Sequence, residues 1–180
     1  MKIFWDLDGT LANNEHRHHL LPKPGEGDKT AHWTAFNQAC VDDTVIQSTY
    51  FLFMSLSQQF ATYIVTGRAE DSRSQTMEWL EKNGMGHYYQ LHMRPVEDHR
   101  RAKEFKLDKF MELGLGDGDV VFEDDHQVIK MLREFFPGVI ICEVPSSCIA
   151  VQMGRSNNEL QEEVVHDADS FVMQRCTKNV

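Results

Sequence analysis

Positive charge is scarce in this sequence: 18 Lys and Arg stand against 28 Asp and Glu, a formal net charge of -10 at pH 7. That balance repels a long polyanion unless a local basic surface compensates, which argues against stable binding to extended duplex nucleic acid. Cysteine is also sparse. Cys40, Cys142, Cys148 and Cys176 include no C-x-x-C pair, which removes paired-cysteine zinc and redox motifs from consideration, and the apolar run around Cys142 is where a reduced, buried thiol is expected. No apolar stretch approaches the length of a membrane span. The N-terminus passes from Met1-Lys2 straight into a strand-like run that is already charged at Asp6, leaving no room for a secretory apolar region. A cytoplasmic protein without membrane contact is therefore expected. Repeats and low-complexity segments are absent.

What is present is enough for one sizeable core: 180 residues, of which 41% are hydrophobic. Four short apolar runs, Lys2 to Asp6, Ala61 to Val65, Val120 to Phe122 and Val139 to Val144, read as buried strands, with a further short strand near Tyr89 to Met93. Helical patterns over Asp71 to Lys82, Ala102 to Leu113 and Gln127 to Phe136 alternate with them. This order predicts an α/β fold with a Rossmann-like, doubly wound parallel sheet. Residues 13–43 interrupt the alternation with Pro22, Pro24, Gly25 and Gly27 and a helix from His32 to Cys40, and are expected to form a small cap inserted after the first strand. Thr44 to Gln59 reads as one longer helix leading into the second strand. The stretch 146–180 is a polar C-terminal extension with a plausible helix near Asn157 to Val165 and no assigned role.

In doubly wound sheets the functional crevice lies at the carboxyl ends of the strands, and Asp6, Thr66 and Asp124 all fall at such ends. Within Asp6-Leu7-Asp8-Gly9-Thr10-Leu11, alternation along an extended strand turns Asp6 and Asp8 the same way, and Gly9 permits a sharp turn. One carboxylate can attack phosphorus while the other protonates the leaving oxygen and later activates water. Two carboxylates facing a phosphate call for a cation. Asp124 and Asp125 add hard oxygen donors suited to Mg2+, while Thr66, Gly67 and Arg68 offer a hydroxyl, backbone N–H groups and a guanidinium fork to phosphate oxygens. Lys106 supplies the remaining positive charge.

Taken in order, DLDGTLA, IVTGR, an upstream lysine and VVFEDD resemble the four motifs of the haloacid dehalogenase (HAD) superfamily, over about residues 2 to 145. Within it, DDHQVIKM, the Met93 to Pro95 segment and the helix carrying Lys106 are similar to the 3'-phosphatase domain of bacteriophage polynucleotide kinases and its stand-alone relatives. The resemblance implies Asp6 as nucleophile, Asp8 as acid-base with its backbone carbonyl on the metal, Asp125 as the direct Mg2+ ligand and Asp124 as its partner. It also implies substrate contacts from Arg17 and Arg68. Ala102 stands where the phage domain carries an acidic residue, so Lys103 remains a second candidate for the lysine. Gly25-Glu26-Gly27-Asp28-Lys29-Thr30 lacks the spacing of a phosphate-binding loop and follows prolines rather than a strand, which speaks against a kinase.

Other residues carry less. His16, His18 and His19 lack the partners of a tetrahedral zinc site and read as a solvated segment. His126 reads as a helix-start residue, and Asp117 and Asp119 as structural loop carboxylates. Trp33 and Phe36 pack on the core more readily than they stack on a nucleobase, and Phe51, Phe53, Met54 and Leu56 read as helix core. The expected function is Mg2+-dependent hydrolysis of a phosphomonoester through an aspartyl-phosphate, on the 3'-phosphate of a nucleic-acid end or a nucleotide. A 5'-nucleotidase or small-phosphate phosphatase is the alternative enzyme, and a phosphate- or nucleic-acid-end-binding module the alternative without turnover.

Overall fold

The computed structural model describes residues 1–23 and 25–145, so the expected helix near Asn157 to Val165 lies outside the described residues. β1 (Lys2–Trp5) is the central strand. It pairs in parallel with β4 (Ala61–Ala69) on one side and β6 (Val120–Glu123) on the other; β5 (Gln90–Arg94) and β7 (Ile140–Glu143) extend the two flanks. The order β5-β4-β1-β6-β7 reverses direction of growth around β1, which places the end of β1 at the topological switch point. β2 (Ala12–Asn13) and β3 (Thr44–Val45) form a separate antiparallel pair.

Side-chain alternation divides β1 between two cores. Ile3 and Trp5 point to a layer with Phe53, Ile64, Trp79, Leu80 and Phe122, under α2 (Gln47–Leu56) and α3 (Arg73–Lys82). Phe4 points to the opposite layer, with Val65, Phe105, Phe110, Val121, Val128 and Leu132, under α4 (Ala102–Glu112) and α5 (His126–Phe135). Trp5 and Phe122 stack with ring centroids 3.7 Å apart. Such aromatic pairing adds about 0.5–1.5 kcal/mol beyond burial and ties β1 to β6 just beneath the acidic residues that follow.

Four local expectations are corrected. The helix expected over Thr44 to Gln59 begins only at Gln47, because Thr44 and Val45, a β-branched pair, join Ala12 and Asn13 as β3. The cap helix expected over His32 to Cys40 is broken into 3-10 turns at Thr30–Trp33 and Ala39–Asp42 around a short α1 (Thr34–Gln38). On α2, Phe53 is buried but Phe51 is 63% exposed, since residues two apart on a helix face different ways. Cys142 is only partly buried, on a flank strand; Cys40 is the fully buried thiol.

Candidate active site

β1 delivers Asp6 immediately beyond its last residue, and the Asp6 N–H still donates to Phe122 O at 3.1 Å. The Asp6 carboxylate lies 2.8 Å from Lys106 Nζ, which is itself buried on α4 and donates to Glu123 Oε2 at 2.6 Å. Asp6, Glu123 and Asp124 each bring a carboxylate oxygen within 4.8 Å of the others. Lys106 is the lysine that reaches Asp6; no ion pair joins Lys103 to Asp6.

That cluster holds three acids against one ammonium, and the protonation of the acids follows. Burial, together with repulsion among the acids, raises Asp6 above its ordinary value, Asp124 to about 7 and Glu123 to about 8, against the opposing pull of Lys106. Burial alone would lower the lysine, but Asp6 and Glu123 outweigh it and keep Lys106 firmly charged.

Gly9 makes room for Asp124. Its φ of +82° is open to glycine, and a Cβ there would sit 2.0 Å from Asp124 Oδ2. Thr10 Oγ1 then donates to Asp124 Oδ1 at 3.0 Å. Asp125 is placed differently from expectation: it is exposed, and its Oδ1 accepts from the Gln127 N–H at 2.7 Å as the N-cap of α5. The aspartate brought to Asp6 is Asp124, not Asp125. A paired Asp-Asp at a strand end does not reveal which member the following helix claims as its cap.

Asp8 lies beyond the extended part of β1, so strand alternation does not govern it. Its carboxylate accepts from Arg68 Nε at 2.9 Å and Nη2 at 2.7 Å, and also from Arg17 Nη2. Asp43, fully buried, accepts from Arg17 Nε and Nη2, each at 2.7 Å, and from Arg68 Nη2 at 3.1 Å. Two guanidiniums and two carboxylates thus form a charge-balanced network, which His16 Nε2 joins at 2.8 Å from Asp43 Oδ1. Burial works to raise the Asp8 pKa, but Arg68 and then Arg17 hold it well below the usual carboxylate range. Arg17 and Arg68, expected to contact substrate, both spend their forks on this network. Arg17 is also stacked over Phe36, 4.0 Å from the ring centroid.

Asp6, Asp8, Thr66, Gly67, Arg68, Lys106, Glu123, Asp124 and Asp125 line a cavity of about 910 Å³; Arg17 lies outside its lining. Thr66, Gly67 and Arg68 belong to β4, at the point where the β4–β5 register shifts between Val65 and Ala69. Such a bulge re-aims side chains at a strand end. His126 begins α5, as expected, and Asp119 holds the N–H of Lys2 and the turn at Gly116. Trp33 lines the cavity while Phe36 is buried at its edge, their rings edge to face.

Three residues of the site escaped the sequence: Glu123, Asp43 and Thr10. Glu123 carried a signal, an acid at the last position of an apolar strand. Asp43 carried none, since it is distant in sequence from both of its arginines.

The donor set fits a hard cation. Buried carboxylates crowded within 4.8 Å, with too little positive charge beside them, are the arrangement that a divalent ion with oxygen ligands relieves.

A family model described as the polynucleotide kinase PNKP phosphatase domain matches residues 1–147. A search of curated protein sequences returns no significant match. Among solved structures, a chain of the Pnkp1/Rnl/Hen1 RNA repair complex aligns with a TM-score of 0.62 at 24% identity, over 80% of this chain and 42% of its own. The haloacid dehalogenase-like hydrolase SP0104 from Streptococcus pneumoniae aligns with a TM-score of 0.57 at 12% identity, over 91% and 97% of the two chains. The magnesium-bound HAD-hydrolase YfnB from Bacillus subtilis gives 0.54 at 12%, over 79% and 85%. These likenesses show the fold, and the chain spans less than half the length of the Pnkp1-complex chains it matches. With its sheet order, its strand-end carboxylates and the match over residues 1–147, the chain belongs to the polynucleotide kinase phosphatase-domain family of HAD hydrolases.

Proposed function

We propose that the chain is a Mg2+-dependent phosphomonoester hydrolase that works through an aspartyl-phosphate on Asp6, with the 3'-phosphate of a nucleic-acid end as substrate. The observation that carries this reading is the Asp6 carboxylate beside Lys106 Nζ, 2.8 Å away, at the floor of the cavity. The RNA repair complex among the structural neighbours supports a nucleic-acid end, and the magnesium-bound neighbour supports the metal. Residues 13–43 act as the cap, since Trp33 and Phe36 line the same cavity as Asp6.

In the first step an Asp6 oxygen attacks phosphorus, the bond to the ester oxygen breaks, and that oxygen leaves with a proton carried by Asp8. In the second, Asp8 takes a proton from water as the water attacks phosphorus, releasing inorganic phosphate and restoring the Asp6 carboxylate. The resting Asp8, ionised between two guanidiniums, is in the form the second step needs. A phosphate entering beside Arg68 draws that guanidinium toward itself, which loosens the clamp and lets Asp8 hold the proton of the first step. Lys106 neutralises charge on Asp6 and on the transferring oxygens, and Glu123 holds Lys106 in place. Asp6 and Asp124 would hold Mg2+, with the Asp8 backbone carbonyl; the ion would screen the carboxylates from the incoming phosphate and stabilise charge on its oxygens.

The test is Mg2+-dependent phosphate release from a 3'-phosphorylated oligonucleotide and from free 3'- and 5'-mononucleotides in parallel. Release from the oligonucleotide supports an end-processing phosphatase. Release confined to 5'-mononucleotides moves the assignment to a nucleotidase, and binding of all three without release moves it to a binding module.

A further inference from the structure

Arg94 lines the cavity and is left unused by the mechanism. It ends β5 and makes no ion pair among the described residues. Its Nη1 donates to Arg100 O at 3.1 Å, while Nε is buried and has no hydrogen-bond partner. The nearest acid, Asp98, is already engaged by Arg100 Nε and Nη2 at 3.0 and 2.8 Å. Burial, only partly opposed by Asp98, holds the Arg94 pKa below the ordinary arginine value. A partly buried guanidinium whose buried Nε has no acceptor is costly to keep unless an anion meets it during function.

Its placement says which anion. The Arg94 Nη2 group lies over Gly67, only 3.2 Å from where a Cβ on that residue would stand, so a side chain at Gly67 would press on the guanidinium. In the sheet, β5 is the second strand out from β1. Strands are spaced by about 4.8 Å, so an anion held at the end of β5 sits roughly 10 Å to the side of the Asp6 strand. That is beside the reacting phosphate rather than on it. Exposed Arg101, at the start of α4, lines the same wall and is likewise without an ion pair among the described residues.

We infer that Arg94, flanked by Arg101, forms a second anion subsite that holds the internucleotide phosphate next to the terminal one. It rests on the proposed reading of a nucleic-acid end, and it makes the cavity selective for an oligonucleotide over a mononucleotide. It also gives an acidic chain a local basic contact for a polyanion.

The experiment compares a 3'-phosphorylated dinucleotide with a 3'-mononucleotide in wild type, Arg94→Gln and Arg94→Lys. Arg94→Gln is expected to raise KM for the dinucleotide by about tenfold more than for the mononucleotide, the size of one charged hydrogen-bonding contact. Its dependence of log KM on log salt should flatten by roughly 0.7, one phosphate contact on a single strand. Arg94→Lys should recover part of the discrimination. Arg101→Gln, at an exposed position, should move the ratio in the same direction by less. A KM ratio and salt slope unmoved in Arg94→Gln overturn the subsite, as does an equal rise for both substrates. If wild type releases phosphate from neither substrate, it is the proposed function that fails; titration of the dinucleotide into wild type and Arg94→Gln then decides the subsite alone, equal affinity overturning it.

Discussion

At the residue scale the two aspartates of the D-x-D pair sit in opposite electrostatic surroundings. Asp6 shares one ammonium with Glu123 and Asp124, whereas Asp8 shares two guanidiniums with Asp43. The pH dependence of stability follows from this. Glu123 and Asp124 are held at about 8 and about 7, above their ordinary values of 4.5 and 3.8, so the metal-free fold retains protons that the unfolded chain has released. Their stabilising contribution is complete below about pH 4 and is lost as pH rises to about 8. Asp8 behaves oppositely: held low, it stabilises above its ordinary 3.8, and that contribution disappears as pH falls further. Thermal unfolding with chelator should therefore show Tm falling from pH 5 to 8, and added Mg2+ should raise Tm most at the upper end; a Tm insensitive to Mg2+ at pH 8 would contradict a metal at this cluster. Asp43→Asn strands part of a buried positive charge and should cost roughly 3–5 kcal/mol in denaturant unfolding. Asp8→Asn should keep substrate binding while lowering kcat by about 10²–10⁴-fold, the range of a general acid-base group.

At the scale of elements, the turn through Gly9 and the end of β4 set the site. Gly9→Ala forces a side chain into a positive φ and against Asp124. It should destabilise the fold by about 1–3 kcal/mol and raise the Mg2+ concentration needed for half-maximal activity, read by denaturation and by Mg2+ titration. The strands and the helices after them were legible because apolar runs and 3.6-residue patterns record burial on one or two faces, and because β1, β4 and β6 carry polar residues at or just beyond their ends that line the crevice. The middle of the chain was less so. In residues 30–56 short 3-10 turns and a two-residue β3 interrupt the helical spacing, and the partners that impose them are remote: Thr34 donates to Asp71, and Trp79 Nε1 to Asp43 O. Asp6, Thr66, Lys106 and Asp124 reach one cavity as their strand-end or helix positions imply, whereas the roles of Asp43 and Arg17 are written in contacts that no local pattern encodes. Phe51 shows the limit of composition: an apolar residue on an amphipathic helix still follows the helix angle.

On the scale of the whole molecule, the net charge is -10, and among the described residues Arg94 and Arg101 line the cavity without an ion pair. Affinity for a long polyanion should be low and confined to the few phosphates nearest the end, so that extending the oligonucleotide beyond the cavity improves KM little. No helix among the described residues is long and apolar enough to cross a membrane. The sheet, the opposed cores and the switch point at β1 bring one acid, Asp6, to a buried lysine at the cavity floor, and the account stands on that acid forming a covalent bond to phosphorus. The stereochemical course of hydrolysis at a 3'-phosphorothioate, made chiral at phosphorus with sulfur and 18O and cleaved in 17O-labelled water so that the thiophosphate product is itself chiral, tests this most directly. Two successive in-line displacements through Asp6 predict overall retention of configuration at phosphorus. Inversion would mean that water attacks directly, and would remove Asp6 from the role of nucleophile.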